Sequence, residues 1–126
     1  FKNADILSLH IPLTEETKYL IDNEYLNKFS KNIFLINTSR GKIIKTNDLI
    51  KNIKSGKIIG ASLDVLENEN TNFEKLNSLK TNEMNFLKKS SKVILTPHIA
   101  GWSHESNILM SEILTKKILS LLKSIK

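Results

Sequence analysis

Asn32-Ile33-Phe34-Leu35-Ile36-Asn37-Thr38-Ser39-Arg40-Gly41 opens with an unbroken apolar run and closes in polar and small residues. A run that is apolar at every position, rather than at every second one, fits a parallel strand lying under helices on both faces. Working outward, Asp5 to Ile11, Ile58 to Val65 and Lys92 to Thr96 also read as strands, and the first two share the continuous apolar pattern. Segments of helical period separate them. Strand alternating with helix predicts an α/β fold, a partial Rossmann-like, doubly wound parallel sheet with flanking helices.

The helices carry their own end signals. Asp22 is placed to cap a helix from Glu24 to Phe29, and Thr46 to cap Asn47 to Lys54, which stops at Ser55-Gly56 with Gly56 left-handed. A long helix follows Ser103 and runs to about Ile125; Met110, Leu114, Ile118, Leu121 and Ile125 form a stripe that reads as core or interdomain packing. Between Glu67 and Ser91 the chain turns polar and asparagine-rich, a surface excursion with one helical stretch, Asn82 to Lys89, inside it.

The composition narrows the function classes. A chain of 126 residues that is 40% hydrophobic and 25% charged has a soluble globular make-up. It has no cysteine, which excludes disulfides and thiolate metal sites. No apolar run is long enough to span a bilayer, and the cytoplasm is the default location. The net charge of +6 comes from lysines scattered from Lys2 to Lys126, with few aromatic residues for base stacking, a pattern that argues against nucleic acid as the partner. Phe1 leads almost at once into a strand, so the chain reads as a fragment of something longer.

In an open α/β sheet, ligands sit at the carboxyl ends of strands. Those ends carry His10-Ile11-Pro12, Thr38-Ser39-Arg40, Asp64 with Glu67 and Glu69 after it, and Pro97-His98. Arg40 is the only arginine among 19 basic residues. Its planar fork grips both oxygens of a carboxylate, which lysine cannot do; an ordinary surface ion pair is the bland alternative. His98 is the candidate for proton transfer near neutral pH, held between Pro97 and Gly101, with a backbone-satisfied histidine as the alternative. A carboxylate such as Glu69 beside it would fix its tautomer and stabilise the imidazolium. His10 reads as closing a hydrogen bond at a strand end, and His104 as surface. The histidines and acids show no metal-ligand spacing. Ser103-His104 lacks a nucleophile-elbow setting, and the isolated glycines at 41, 56, 60 and 101 form no phosphate loop.

Four stretches together carry a resemblance: Ala4-Asp5-Ile6-Leu7-Ser8-Leu9-His10-Ile11-Pro12-Leu13-Thr14 with Glu16-Thr17, Ile36-Asn37-Thr38-Ser39-Arg40-Gly41, Ser55 to Val65, and Leu95-Thr96-Pro97-His98-Ile99-Ala100-Gly101. In this order and spacing the chain resembles the D-isomer-specific 2-hydroxyacid dehydrogenases. The insert before Thr96-Pro97-His98 and the Ala100-Gly101-Trp102 after it look most like phosphoglycerate-dehydrogenase-like members.

The resemblance implies that residues 1–126 are the C-terminal portion of an NAD-binding domain, with the glycine-rich loop and substrate domain upstream and an isolated piece without turnover. It implies NAD as cofactor, a small 2-hydroxy or 2-keto acid as substrate, and a homodimer for the full-length protein. Arg40 would bind the substrate carboxylate, His98 would be the general acid/base, and Glu69 its partner. Asp64 would hold the nicotinamide carboxamide. Ile11, Pro12, Thr17, Thr38 and Ser39 fall where the family lines the cofactor, with Arg40, His98 and Gly101 beside it. Asn70 departs from the proline usual after the glutamate. A non-catalytic, nucleotide-sensing or co-repressor-like relative of the same fold is the competing expectation.

Overall fold

Parallel neighbours cannot be joined by a tight turn, so each strand of this sheet is joined to the next by a crossover. The computed structural model describes residues 1–68 and 81–124. Strand β1 (Ile6–Leu9) leads to helix α1 (Asn23–Asn27) and strand β2 (Ile33–Asn37); a 3-10 turn (Gly41–Ile43) precedes helix α2 (Thr46–Ser55) and strand β3 (Ile58–Leu63). Helix α3 (Asn82–Lys89), strand β4 (Val93–Leu95) and helix α4 (His104–Ser124) follow. The strands pair in the order β1-β2-β3-β4, all parallel, with Leu9 opposite Asn37 and Asn37 opposite Leu63. Their polar carboxyl-terminal residues therefore arrive along one edge.

The α/β, Rossmann-like architecture expected from the sequence is present, but the strands are not buried on both faces. Leu9, Ile33, Leu35, Ile58, Ala61 and Leu63 are buried in one core with Leu26, Leu49, Ile53 and Leu87 from the helices. On the opposite face Ile6, Phe34 and Ile94 are 59%, 47% and 65% exposed. Right-handed crossovers that all step the same way along a sheet fall on the same side of it. One face is filled by α1 to α3, and the apolar residues of the other remain open.

Two helix expectations also change. Thr46 is the first residue of α2 rather than its cap, and Lys45 in the cap position makes no side-chain cap hydrogen bond. The Thr46 N–H instead donates to Glu67 Oε2 at 2.9 Å. Helix α4 has no buried residue, so its apolar stripe is not part of the described core. The other signals hold: Gly56 closes α2 at φ +83°, and the Asp22 carboxylate accepts from the Tyr25 N–H at 2.9 Å. Asn82–Lys89 is helical as expected, yet it sends Leu87 into the core rather than lying wholly on the surface.

This one-sided core predicts unequal costs for truncating the two faces. Leu35→Ala should cost about 2–5 kcal/mol, whereas Ile94→Ala should stay within about 0.5 kcal/mol of the parent in urea unfolding. Equal losses at the two positions would contradict the one-sided core.

Candidate active site

Asn37 ends β2 with its amide fully buried, and that amide shapes the turn beyond it. Its Oδ1 accepts from the Ser39 N–H at 3.1 Å and the Ser39 hydroxyl at 2.9 Å, while its Nδ2 donates to the Arg40 carbonyl at 3.0 Å. Three bonds from one buried side chain leave the Thr38-Ser39-Arg40 backbone little freedom. The Arg40 guanidinium projects into solvent with Nη1 donating to the Ser39 carbonyl at 2.6 Å. Its remaining donors have the fork geometry that suits a carboxylate.

The loop after β1 faces this turn across a cleft of about 510 Å³ lined by His10, Ile11, Pro12, Leu13, Thr38, Ser39 and Arg40. The structure thus brings together Ile11, Pro12, Thr38, Ser39 and Arg40, five of the residues singled out from the sequence. Thr17 does not line the cleft. Its hydroxyl donates to the Pro12 carbonyl at 2.7 Å and accepts from the Thr14 N–H at 2.8 Å, so it braces the wall from behind. His10 does line it, with Nε2 lying 2.8 Å from the Ser8 hydroxyl.

At the end of β3, Asp64 is buried and is tied to β2 through its N–H, which donates to the Asn37 carbonyl at 2.9 Å. Its carboxylate is committed to the turn after β4. Oδ1 accepts from the Thr96 hydroxyl and from the Ile99 N–H, the latter at 2.9 Å, and Oδ2 accepts from the Ala100 N–H at 2.9 Å. Between these anchors His98 adopts φ 58°, a left-handed conformation uncommon outside glycine. Burial pushes the Asp64 carboxyl pKa up, but the Thr96, Ala100 and Ile99 hydrogen bonds and the nearby His98 charge outweigh it and hold the pKa below the ordinary carboxylate value.

These contacts sharpen two sequence expectations. Asp64 spends three acceptor positions on the turn that carries His98, which leaves little of its carboxylate for a ligand. A Cβ at Gly101 would meet nothing within 4 Å, so no close approach among the described residues requires glycine there. The constrained residue is His98 itself. Glu69, expected as the partner of His98, lies outside the described residues. Among the described residues no three histidine or acidic side chains gather as a metal site, and no helix is long and apolar enough to cross a membrane.

Sequence reasoning missed Asn37 and the turn-holding role of Asp64. The available signal was a polar residue ending an apolar run, which marks a side chain aimed at its own loop as readily as at a ligand.

A lowered folded pKa stabilises the fold above the unfolded value of about 3.9, and that stability is lost as pH falls through the folded value. The parent should therefore exceed Asp64→Asn in stability near neutral pH, with the gap closing below about pH 4 in urea titrations. A gap that stays constant into strong acid would contradict this.

Comparison with known proteins identifies the family. Residues 1–100 match the family model of the D-isomer specific 2-hydroxyacid dehydrogenase, NAD binding domain. A glyoxylate reductase of Thermococcus litoralis is 41% identical over 122 residues, covering 97% of this chain and 34% of that protein. An aromatic 2-oxoacid reductase of Clostridium sporogenes is 39% identical over 116 residues, covering 90% of this chain and 35% of its own length. The chain spans about a third of the length of these curated relatives. Among solved structures, an NAD-complexed D-isomer specific 2-hydroxyacid dehydrogenase from Lactobacillus delbrueckii superposes with TM-score 0.78 at 35% identity, covering 96% of this chain and 38% of that one. A D-lactate dehydrogenase from Aquifex aeolicus, complexed with NAD and lactic acid, gives 0.71 at 34% identity over 95% of this chain and 38% of that one. The motifs, the parallel sheet and these matches lead to one conclusion: the chain belongs to the D-isomer-specific 2-hydroxyacid dehydrogenase family, in its NAD-binding domain.

Proposed function

We propose that this chain supplies the C-terminal portion of the NAD site, together with the acid/base and carboxylate-binding groups, of an NAD-dependent D-2-hydroxyacid dehydrogenase. The observation that carries the reading is Arg40, exposed at the cleft where the carboxyl ends of β1 and β2 meet. The cleft falls within the range of about 300–1,000 Å³ usual for small-molecule sites, and it sets an apolar wall of Ile11, Pro12 and Leu13 against a polar one of Thr38, Ser39 and Arg40. Those residues suit the nicotinamide end of a dinucleotide at the strand ends.

Bound NAD supplies hydride transfer to or from the carbon next to the substrate carboxylate. Arg40 holds that carboxylate in a two-pronged grip and fixes which face of the carbonyl is presented. A His98 ring nitrogen gives its proton to the carbonyl oxygen in reduction and takes it from the hydroxyl in oxidation. Glu69 supports the imidazolium. Ile11 and Pro12 exclude water from one wall, with Thr17 bracing the Pro12 carbonyl. Thr38 and Ser39 form the other wall, Asp64 keeps the His98 turn in place, and Gly101 follows that turn. The full-length protein works as a cytoplasmic homodimer on a small 2-keto or 2-hydroxy acid. The relatives' activities, reduction of glyoxylate and of aromatic 2-oxoacids, support a 2-keto acid, with 3-phosphoglycerate as a narrower candidate. The matched share of those relatives, about a third, supports an isolated chain that does not turn over by itself.

In the full-length protein, Arg40→Lys should lower kcat/KM for a 2-keto acid about 10- to 100-fold, since the charge stays and the fork is lost. His98→Gln should lower kcat roughly 10²- to 10⁴-fold with NADH affinity kept. Steady-state assays with glyoxylate, pyruvate and phenylpyruvate, and with 3-phosphoglycerate in the oxidative direction, identify the substrate. Unchanged efficiency in either variant sinks the corresponding assignment, and turnover by the 126-residue chain alone contradicts its dependence on the rest of the protein.

A further inference from the structure

We propose that Glu67 is a positioning residue that sets where Arg40 and His98 stand relative to each other. The inference rests on the dehydrogenase reading above.

Glu67 lies three residues after Asp64, on the segment leaving β3. Its carboxylate reaches another segment, Oε2 accepting from the Thr46 N–H at 2.9 Å, and it lies near the Tyr19 phenol. The nearby Glu67 carboxylate raises the phenol pKa above its ordinary value. Tyr19 itself sits at φ 55°, a costly conformation for a bulky side chain, with its N–H donating to the Lys42 carbonyl at 2.8 Å.

The backbones of these segments touch as well. A Cβ added at Gly41 would lie 2.0 Å from the carbonyl carbon and oxygen of Leu66 and 2.6 Å from the Glu67 nitrogen. Only glycine lets the segment after Arg40 approach the segment after Asp64 this closely. The contact therefore runs from Arg40-Gly41 to Leu66-Glu67, then two residues back from Leu66 to Asp64, and through its carboxylate to the Ile99 and Ala100 N–H groups that follow His98. Asp64 holds the His98 turn to β3, and Glu67 holds the start of α2, the helix that follows the Arg40 turn, to the same strand end. The Gly41 contact brings the backbone of Glu67 against the segment after Arg40, so its carboxylate is anchored at the point where the two segments meet.

The test uses the full-length protein. Glu67→Ala should lower kcat on the order of 10- to 100-fold and raise KM for the 2-keto acid, as misplacement of reacting groups does, and should shift the pH profile of kcat/KM. NADH affinity should stay within about twofold, because Glu67 does not line the cleft. Glu67→Gln keeps an oxygen for the Thr46 N–H and should restore most of kcat. Should Glu67→Ala fail to fold, Tyr19→Phe removes only the phenol beside the Glu67 carboxylate and should still lower kcat by roughly two- to tenfold. A lower melting temperature with kcat, KM and the pH profile unchanged would overturn the proposal. Turnover by the unaltered protein beside full kcat in Glu67→Ala and Tyr19→Phe removes this inference alone; no turnover of any 2-keto acid by the unaltered protein removes the dehydrogenase reading and this inference with it.

Discussion

The Asp64 carboxylate is the interaction on which the candidate site depends. A buried carboxylate is tolerable only where hydrogen bonds replace its water, and here the replacements come from one turn: the Thr96 hydroxyl and the Ile99 and Ala100 N–H groups. The ion thereby recruits the turn. His98 holds its left-handed conformation between Thr96 on one side and Ile99 and Ala100 on the other, all bonded to this carboxylate. The Asn37 carbonyl accepts the Asp64 N–H, so the β2 turn bearing Arg40 and the β4 turn bearing His98 share one strand-end framework.

That framework sits on a sheet with an uneven covering. Consecutive parallel strands advancing in one direction place every crossover helix on the same face, and the core is built there from Leu35, Ile33, Leu49, Ile53 and Leu87. The other face presents Ile6, Phe34 and Ile94, and α4 presents Leu114, Leu121 and Leu122, all at least half or nearly half exposed. Rigidity at the site therefore comes from polar clamps at the strand ends as much as from hydrophobic packing beneath them.

Much of the fold was legible because local patterns were strong. Continuous apolar runs located β1 to β3, Gly56 stopped α2, and Asp22 began α1. Which faces those strands bury was not legible, because an apolar side chain looks the same in a run whether or not a helix covers it. Thr46 shows the same limit at a helix start. A threonine beside a helical segment signals a cap, yet a carboxylate from Glu67, 21 residues away, satisfies the helix's first N–H instead.

The sequence by itself determined the chemical inventory: one arginine among many lysines, a histidine after a proline, acids after a buried strand, and four motifs in order that mark the family. Those follow from residue identity and short-range spacing. Only the tertiary structure decided what each group spends its bonds on. Asp64 turned inward to hold a turn, Thr17 became a brace, Asn37 became a scaffold for Arg40, and Gly41 proved to be a point of backbone contact. For Asp64 and Gly41 the physical reason is that a hydrogen bond or steric contact between residues far apart in the chain exists only once parallel pairing has brought their strand ends to one edge; Thr17 and Asn37 bond locally, and there the fold decides that a polar side chain turns to its own loop.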